Sequence, residues 1–354
     1  MTEAELITSM RAPGSRSRTD RKLRPFYAVL PIILALAVGS SAHAGEGKWT
    51  LQLEPMYMEA SGHDQHVLTI REIDLAAAPQ AAQQTAVNLD TKAGVAFRLE
   101  LQHSRSKWGW GIDYFSFVTS QSTPNRTAAA GPSGTLDQFA FETANQSFTS
   151  SDPSEILIYG VLEDTDLEVW TVDLYAMRTL AQKSASGLHL QFGLRLADFD
   201  NDYHAALGVQ DDDGARLDAS SNYDLMMGPL VGLTGDLYRG KNHIEGYLGQ
   251  SVVFGTAELS SGSTEFSGSF TGMPSFSDSE RFKKQEDVTI PITELRIKWT
   301  YRVSKMVSLG VGANTSVWWD VSVPPGVIPG MGLEALHENT IVFFGVLGAV
   351  ELTF

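Results

Sequence analysis

Charged side chains recur at alternate positions in short segments of the sequence whose other positions are apolar. Eleven of them stand opposite such an apolar face. Ten are candidate pore-lining residues, Arg98, Glu100, Asp113, Asp173, Arg195, Asp224, Glu245, Glu294, Arg296 and Lys298, and Glu351 has the same predicted orientation. Successive side chains of an extended strand point to opposite faces, so the charges of each segment would share one face. A charge that faces lipid costs up to about 2–4 kcal/mol near the bilayer midplane. We therefore predict that these eleven residues point into a polar lumen.

The segments that position these charges predict a β-sheet protein. Ten segments alternate with period two, at residues 49–54, 95–102, 108–114, 170–176, 188–196, 223–234, 243–254, 294–301, 307–317 and 342–354. After residue 50, no apolar run approaches the about 20 residues that a membrane-spanning helix needs. A transmembrane β-barrel remains compatible with 43% hydrophobic and 19% charged residues, because only alternate residues face lipid. The absence of cysteine excludes a disulfide scaffold or a thiolate metal site.

Short connections between these segments alternate with long ones. The short ones lie at 103–107, 180–187, 235–242 and 302–305, and the long ones at about 59–91, 118–168, 198–221, 255–288 and 320–339. Outer-membrane barrels have short periplasmic turns and long extracellular loops. We predict an all-β fold, with residues 45–354 forming one antiparallel transmembrane barrel of about ten strands, within a range of about eight to twelve. Residues 70–86 are rich in Ala and Gln and are a candidate short helix in the first long loop.

The first 44 residues have the pattern of a secretory signal peptide. Six Lys/Arg residues precede an uncharged apolar stretch at 26–38, and the small residues Ala42 and Ala44 predict cleavage before Gly45. Cleavage removes six Lys/Arg and three Asp/Glu, so the mature chain has 20 Lys/Arg, 39 Asp/Glu and a formal charge of −19 instead of −16. This acid excess argues against a nucleic-acid partner. It suits the bacterial outer membrane, with a soluble periplasmic β-protein as the alternative.

Aromatic residues mark the ends of the predicted strands. All seven tryptophans lie there, at 49, 108, 110, 170, 299, 318 and 319, together with Tyr57, Tyr223 and Tyr301. Amphipathic rings are best solvated at headgroup depth, so this distribution predicts two aromatic girdles.

The last five residues, from Val350 to Phe354, continue the alternation and end on an aromatic ring. This ending resembles the terminal signature of outer-membrane barrels. The resemblance implies that the barrel assembly machinery recognises the C-terminal strand as a partner and that Phe354 is an assembly signal.

An acidic cluster at 198–204, followed by Asp211–Asp213, is the other candidate for chemistry. It lacks the spaced glycine and the distal glutamate of an EF-hand loop, so a solvated acidic loop is predicted, with no metal or cofactor. Asp202 and His204 also resemble the Asp-x-His pair of omptins, which are ten-stranded outer-membrane proteases. The omptin pattern requires a second Asp pair from another loop, and outside this cluster only residues 164–166 offer one. No nucleophile elbow or phosphate-binding loop is present, so we do not predict an enzyme.

Three short motifs resemble one family of barrels. They are Phe-Gly-Leu-Arg-Leu-Ala-Asp-Phe-Asp at 192–200, Gly-Pro-Leu-Val-Gly-Leu at 228–233 and Gly-Gln-Ser-Val-Val-Phe-Gly at 249–255. In this order they are similar to the Legionella major-outer-membrane-protein-like family of pore-forming barrels. The resemblance covers the chain from Leu167 onward. It implies an outer-membrane pore and transfers no substrate and no catalytic residue.

Together these patterns predict a pore that passes small hydrophilic solutes by passive diffusion. Barrels of eight strands are mostly filled by side chains and wide channels need about sixteen, so a ten-stranded lumen would be narrow, with the ten charges as its lining. A packed, salt-bridged interior is equally compatible with these charges. The alternatives are therefore a non-conducting structural or surface-binding barrel, such as an adhesin or receptor, and, less favoured, an omptin-like protease. The predicted partners are outer-membrane lipid, the assembly machinery and small solutes.

Overall fold

The computed structural model describes most of the chain after residue 46. The described residues are 47–61, 66–74, 81–88, 92–105, 107–129, 138–142, 147–150, 158–209, 214–267, 275–276, 281–323 and 337–354. The predicted signal peptide lies outside them. Within these ranges no helix is long and apolar enough to cross a membrane.

Ten of the fifteen described strands form a closed antiparallel barrel. They are β1 (Lys48–Ser61), β4 (Lys92–Arg105), β5 (Trp108–Ala129), β8 (Ile158–Lys183), β9 (Ser186–Val209), β10 (Gly214–Arg239), β11 (Asn242–Ser267), β13 (Arg281–Arg302), β14 (Val307–Val323) and β15 (His337–Thr353). Each pairs with its neighbour in this order, and β1 pairs with β15 to close the ring. The predicted all-β barrel of ten strands is confirmed, and each alternating segment of the sequence lies in one of these strands.

Short turns connect the strands at one end of the barrel. They join β4 to β5, β8 to β9, β10 to β11 and β13 to β14, as predicted. Gly240 in the β10–β11 turn has a φ of 65°, a conformation that glycine adopts without a steric penalty. We call this end periplasmic and the opposite end extracellular, following the layout of outer-membrane barrels.

The outer wall carries a continuous apolar belt. Exposed side chains on several strands contribute to it, among them Leu194, Leu225, Met227, Val231, Leu233, Leu248, Leu295, Ile297, Val311, Phe344 and Val346. On β10 the belt runs from Leu225 to Leu237, which is about 40 Å along the strand and about 30 Å along the membrane normal at a tilt of about 40°. This height matches the hydrocarbon core of a bilayer.

Charges of opposite sign lie beyond the two ends of the belt. The periplasmic turns expose basic residues: Lys48, Arg105, Lys107, Lys183, Arg239, Lys241, Arg302 and Lys305. Toward the extracellular end, Glu59, Asp200, Asp224 and Asp287 are exposed. The belt is therefore bounded by side chains that need water on both sides, as a membrane-spanning wall requires.

The strands continue well beyond the belt at the extracellular end. β8, β10 and β11 have 26 residues each and β9 has 24, or about 80 Å at roughly 3.3 Å per residue. Much of the predicted loops at 118–168, 198–221 and 255–288 is therefore strand.

Two of the predicted long loops also form a sheet of their own. β2 (His66–Asp74) and β3 (Ala81–Asn88) follow β1, whereas β6 (Gln138–Glu142) and β7 (Ser147–Ser150) follow β5, and they pair in the order β3-β2-β6-β7. β12 (Ser275–Phe276) pairs with β11. The candidate helix at 70–86 is wrong, because residues 70–74 and 81–86 lie in paired strands and local propensity is a weak determinant beside such pairing.

Three predicted orientations are wrong for a geometric reason. A register shift in β10 between Tyr223 and Met226 flips the faces on its extracellular side, so Tyr223 is buried in the lumen and Asp224 is exposed on the outer wall. Trp318 is 1% exposed and lies in the lumen, whereas Trp319 is outside. Adjacent residues of a strand must point to opposite faces, so only one of these two tryptophans can join the girdle.

A substitution of Phe354 tests whether this residue is an assembly signal. Its backbone N–H donates to the Trp49 carbonyl at 3.1 Å and its carbonyl accepts from the Trp49 N–H at 2.9 Å, at the β1–β15 closure, while its ring is 42% exposed. We expect Phe354→Ala to lower the yield of folded, heat-modifiable protein in outer membranes severalfold. The matched control is Phe344→Ala, which also removes an exposed ring of β15 (54% exposed). Equal yields for the two variants would contradict a special role for Phe354.

Candidate functional site

The lumen of the barrel contains a layer of buried charges. Nine of the ten candidate pore-lining residues are buried there, and Asp224 is the exception. Together with Glu54, which is 1% exposed, they form what we call the lumenal ion-pair network. Its members are Glu54, Arg98, Glu100, Asp113, Asp173, Arg195, Glu245, Glu294, Arg296 and Lys298.

Glu294 connects opposite walls of this network. Its Oε1 accepts a hydrogen bond of 3.1 Å from Arg98 on β4, and its Oε2 accepts from Arg195 on β9. Three strands separate β4 from β13 around the ring, so the first contact crosses the lumen. Arg195 also donates to both oxygens of Asp173, at 2.7 and 2.6 Å. This paired, planar geometry is the strongest arrangement for a guanidinium and a carboxylate.

A second cluster is centred on Arg296 and Lys298. These residues lie two and four positions after Glu294 on β13, nearer the periplasmic end. Arg296 lies 3.4 Å from Glu54, 3.5 Å from Glu100 and 3.7 Å from Glu245. Lys298 lies 3.1 Å from Glu54 and 3.4 Å from Glu245. The cations of one strand thus hold carboxylates of three others, which pins the relative positions of the walls.

Two tyrosines fill the remaining space beside the charges. Tyr175 donates to Glu100, and its ring occupies the position that a Cβ on Gly111 would take. Tyr247 lies over Gly232 and Gly249 in the same way and faces Arg296 at 5.4 Å from its ring centre. These glycines therefore provide room for inward-pointing side chains.

An aromatic layer closes the lumen above the charges. Its five members are Phe117, Phe199, Tyr223, Trp318 and Phe343, all at most 3% exposed. Their ring centres are 5.3 Å apart for Phe117 and Phe343, 5.2 Å for Phe199 and Tyr223, and 6.1 Å for Phe199 and Trp318. The last pair joins β9 to β14 across the lumen. Rings at these separations are in direct contact, so water is excluded from the spaces between them.

Below the charges, the lumen opens into a cavity of about 290 Å³ at the periplasmic end. Asp236 lies there between two histidines, with Oδ1 2.7 Å from His243 Nε2 and Oδ2 2.9 Å from His189 Nε2. Tyr238 stacks on His243, with ring centres 4.2 Å apart. This cavity is polar, whereas the layer of five rings above the charges is aromatic.

The acidic cluster is part of strand β9 and not of a loop. The register of β8 and β9 pairs Asp166 with Asp202 and residue 164 with residue 204. The two Asp-containing pairs that were considered for an omptin-like site are thus neighbours on adjacent strands. Residues 211–213 lie outside the described residues.

Glu54 and the two histidines, His189 and His243, are site residues that were not predicted from the sequence. Glu54 continues the alternation of Thr50 and Gln52, so its inward direction was available from the pattern. His189 and His243 are 54 positions apart, and only their similar distance from short turns on adjacent hairpins could have indicated that they meet.

No family model and no curated protein matches the chain. The resemblance to the Legionella family therefore stays a prediction. Among solved structures, the chain is similar to the outer membrane protease OmpT from Escherichia coli, with 12% identity, a TM-score of 0.42 and coverage of 87% of this chain and 96% of OmpT. It is also similar to Neisserial surface protein A, with 11% identity, a TM-score of 0.28 and coverage of 86% and 97%. A third is Ail of Yersinia pestis, with 10% identity, a TM-score of 0.25 and coverage of 88% and 100%. These similarities assign no activity to this chain.

The closed barrel shows where in the cell the chain is located. Its ring is closed, so no sheet edge meets lipid, and its apolar belt spans a bilayer while its charges are inside. The chain is a bacterial outer-membrane β-barrel. The apolar belt is consistent with the predicted association with outer-membrane lipid.

The network predicts a large cost for neutralising its central carboxylate. Glu294→Gln removes the charge that Arg98 and Arg195 share, and breaking a buried pair costs about 3–5 kcal/mol because the cations stay buried. We expect the free energy of unfolding in urea, measured in lipid vesicles by tryptophan fluorescence, to fall by about that amount. The control is Glu258→Gln, which breaks an exposed pair with Lys283 and is expected to cost about 0–1 kcal/mol. Equal losses in both variants would contradict the central role of Glu294.

Proposed function

We propose that this chain is a non-conducting outer-membrane barrel that presents an extracellular binding surface. The observation that supports this most directly is the filled lumen, where an aromatic layer lies on top of a buried ion-pair network. Solute passage would require both layers to move. The proposed activity is binding and not catalysis.

The predicted narrow pore is the second candidate. It draws support from the lumenal charges, since Arg98, Arg195 and Arg296 would set the field of any pathway that opens. Opening would have to separate Glu294 from two guanidinium groups inside a low-dielectric wall, which is costly. A non-conducting role is therefore better supported than a pore.

The excess of acidic residues in the extracellular part of the wall favours the binding of a cationic ligand. Residues 155–168 contain five Asp/Glu and no Lys/Arg, and residues 198–218 contain seven Asp/Glu and one Lys/Arg. Asp200 and Asp224 are exposed, and the register of β9 and β10 brings Asp224 beside Asp198. A surface with this excess of one sign attracts ligands of the opposite sign. The ligand class we propose is cationic peptides or polyamines.

Conductance distinguishes the closed barrel from the pore. We expect purified protein inserted into a planar lipid bilayer to show no steady single-channel conductance, because packed side chains fill the lumen. A heat-modifiability gel on the same sample establishes that the inserted protein is folded. Steady openings in the wild-type protein would contradict the proposal of a non-conducting barrel. A change of ion selectivity in Arg98→Ala would then identify the lumen as the pathway.

The binding surface is tested with a labelled decalysine peptide and protein in neutral-lipid nanodiscs. We expect binding that weakens as salt rises from about 0.05 to 0.5 M. The double substitution Asp200→Asn and Asp224→Asn should weaken it roughly two- to thirtyfold, if each exposed charge contributes about 0.2–1 kcal/mol. Glu351→Gln, at the periplasmic end, is the matched control and should bind like the wild type. Equal binding by all three proteins would contradict the proposed surface.

A further inference from the structure

The periplasmic cavity brings together side chains that bind metal ions elsewhere in proteins. Asp236, His243 and Glu245 each place a ligand atom within 4.8 Å of those of the other two. They lie on the adjacent strands β10 and β11, whose register pairs Asp236 with Glu245. We propose that these three residues bind a divalent transition-metal ion at the periplasmic mouth of the barrel.

The present distances fit a site without its ion. Asp236 Oδ1 is 2.7 Å from His243 Nε2. Two ligand atoms that share a tetrahedral Zn²⁺ at about 2.0–2.1 Å are separated by about 3.3 Å. An ion would therefore enter by widening this contact by about half an ångström, within the range of side-chain rotation. Both ion pairs of Glu245 use Oε1, so its Oε2 is the oxygen that turns toward the ion.

The surrounding residues orient these ligands. His243 Nδ1 lies 3.5 Å from Thr300 Oγ1, and the ring stacks on Tyr238, so Nε2 is the nitrogen directed at Asp236. On the other side, His189 Nε2 lies 2.9 Å from Asp236 Oδ2, while its Nδ1 lies 3.1 Å from Thr179 Oγ1. Partners of this kind fix the direction of metal ligands and commonly change affinity by about 10–100-fold when removed. His189 is therefore a positioning residue for Asp236.

A glycine keeps space open beside this group. Gly187 is paired with Asp236 across β9 and β10. A Cβ at Gly187 would lie 2.7 Å from His189 Nε2 and 3.4 Å from Asp236 Oδ2. At Gly235, next to Asp236 in the chain, a Cβ would meet nothing within 4 Å. The first position is thus sensitive to added volume and the second is not, which supplies a matched pair of variants.

The charge beside the cavity also favours a bound cation. Asp236 and Glu245 are paired across β10 and β11 and place two carboxylates next to each other. A divalent ion between them would offset their charge. One imidazole with two carboxylates suits Zn²⁺ and similar transition ions, whereas a site for Mg²⁺ or Ca²⁺ would use oxygen ligands alone.

Isothermal titration calorimetry with ZnSO₄ on the purified, folded full barrel in detergent tests the site. We expect one saturable Zn²⁺ per chain, not displaced by excess Mg²⁺. His243→Ala should weaken binding by about 100-fold or more, and His189→Ala by about 10–100-fold. Gly187→Ala should weaken it about tenfold, and Gly235→Ala should leave it unchanged.

A second control and a second measurement keep the outcome clear. His103→Ala removes a histidine whose ring packs at a tilt against Trp49, with ring centres 4.6 Å apart, outside the cavity, and should bind like the wild type. Zn²⁺ should also raise the urea midpoint of the wild type and not that of His243→Ala, because a ligand of the folded state stabilises it. The proposal is overturned if no saturable binding occurs, if Mg²⁺ competes equally, or if His103→Ala loses as much affinity as His243→Ala.

Discussion

Charges that cannot face lipid must neutralise one another inside this barrel, and the rest of the interior is arranged around that constraint. Glu294 satisfies it across the lumen, since its two oxygens accept from Arg98 on one wall and Arg195 on another. Arg296 and Lys298 continue the pairing toward the periplasm on the same strand. An unpaired charge in this low-dielectric space would cost several kcal/mol, so the register of the walls is the one that pairs these charges across the lumen.

Filling the lumen in this way separates the barrel into regions with different tasks. The belt meets lipid and must be apolar on its outer face, while the lumen must be internally complementary. Above the belt neither condition applies, and β8 to β11 continue there as long paired strands with acidic side chains. The two surfaces for which we propose partners are at the two mouths, the acidic extracellular wall and the histidine-containing periplasmic cavity.

The fold was predictable from the sequence because the membrane imposes a strict alternation. Wherever a strand has lipid on one face and a lumen on the other, period two is visible, and nine of the ten charged residues are buried inside the barrel. The predictions failed where that environment ends. The register shift after Tyr223 exchanged the faces of Tyr223 and Asp224, and a shift of one residue leaves no mark on composition. The extracellular halves of the strands were predicted to be loops. Strands that pair in water need no apolar face, so their sequences do not show the alternation.

The sequence by itself determined the barrel, its approximate strand number and most of the charges that face inward, since these follow from one-dimensional alternation. Only the tertiary structure decided which charges pair, that an aromatic layer lies across the lumen, and that Asp236 lies between two histidines 54 positions apart. Those contacts join strands on different walls, and their distances depend on closure and register around the whole ring. The sequence therefore shows which residues could take part in chemistry, whereas the closure of the barrel determines which of them are in contact.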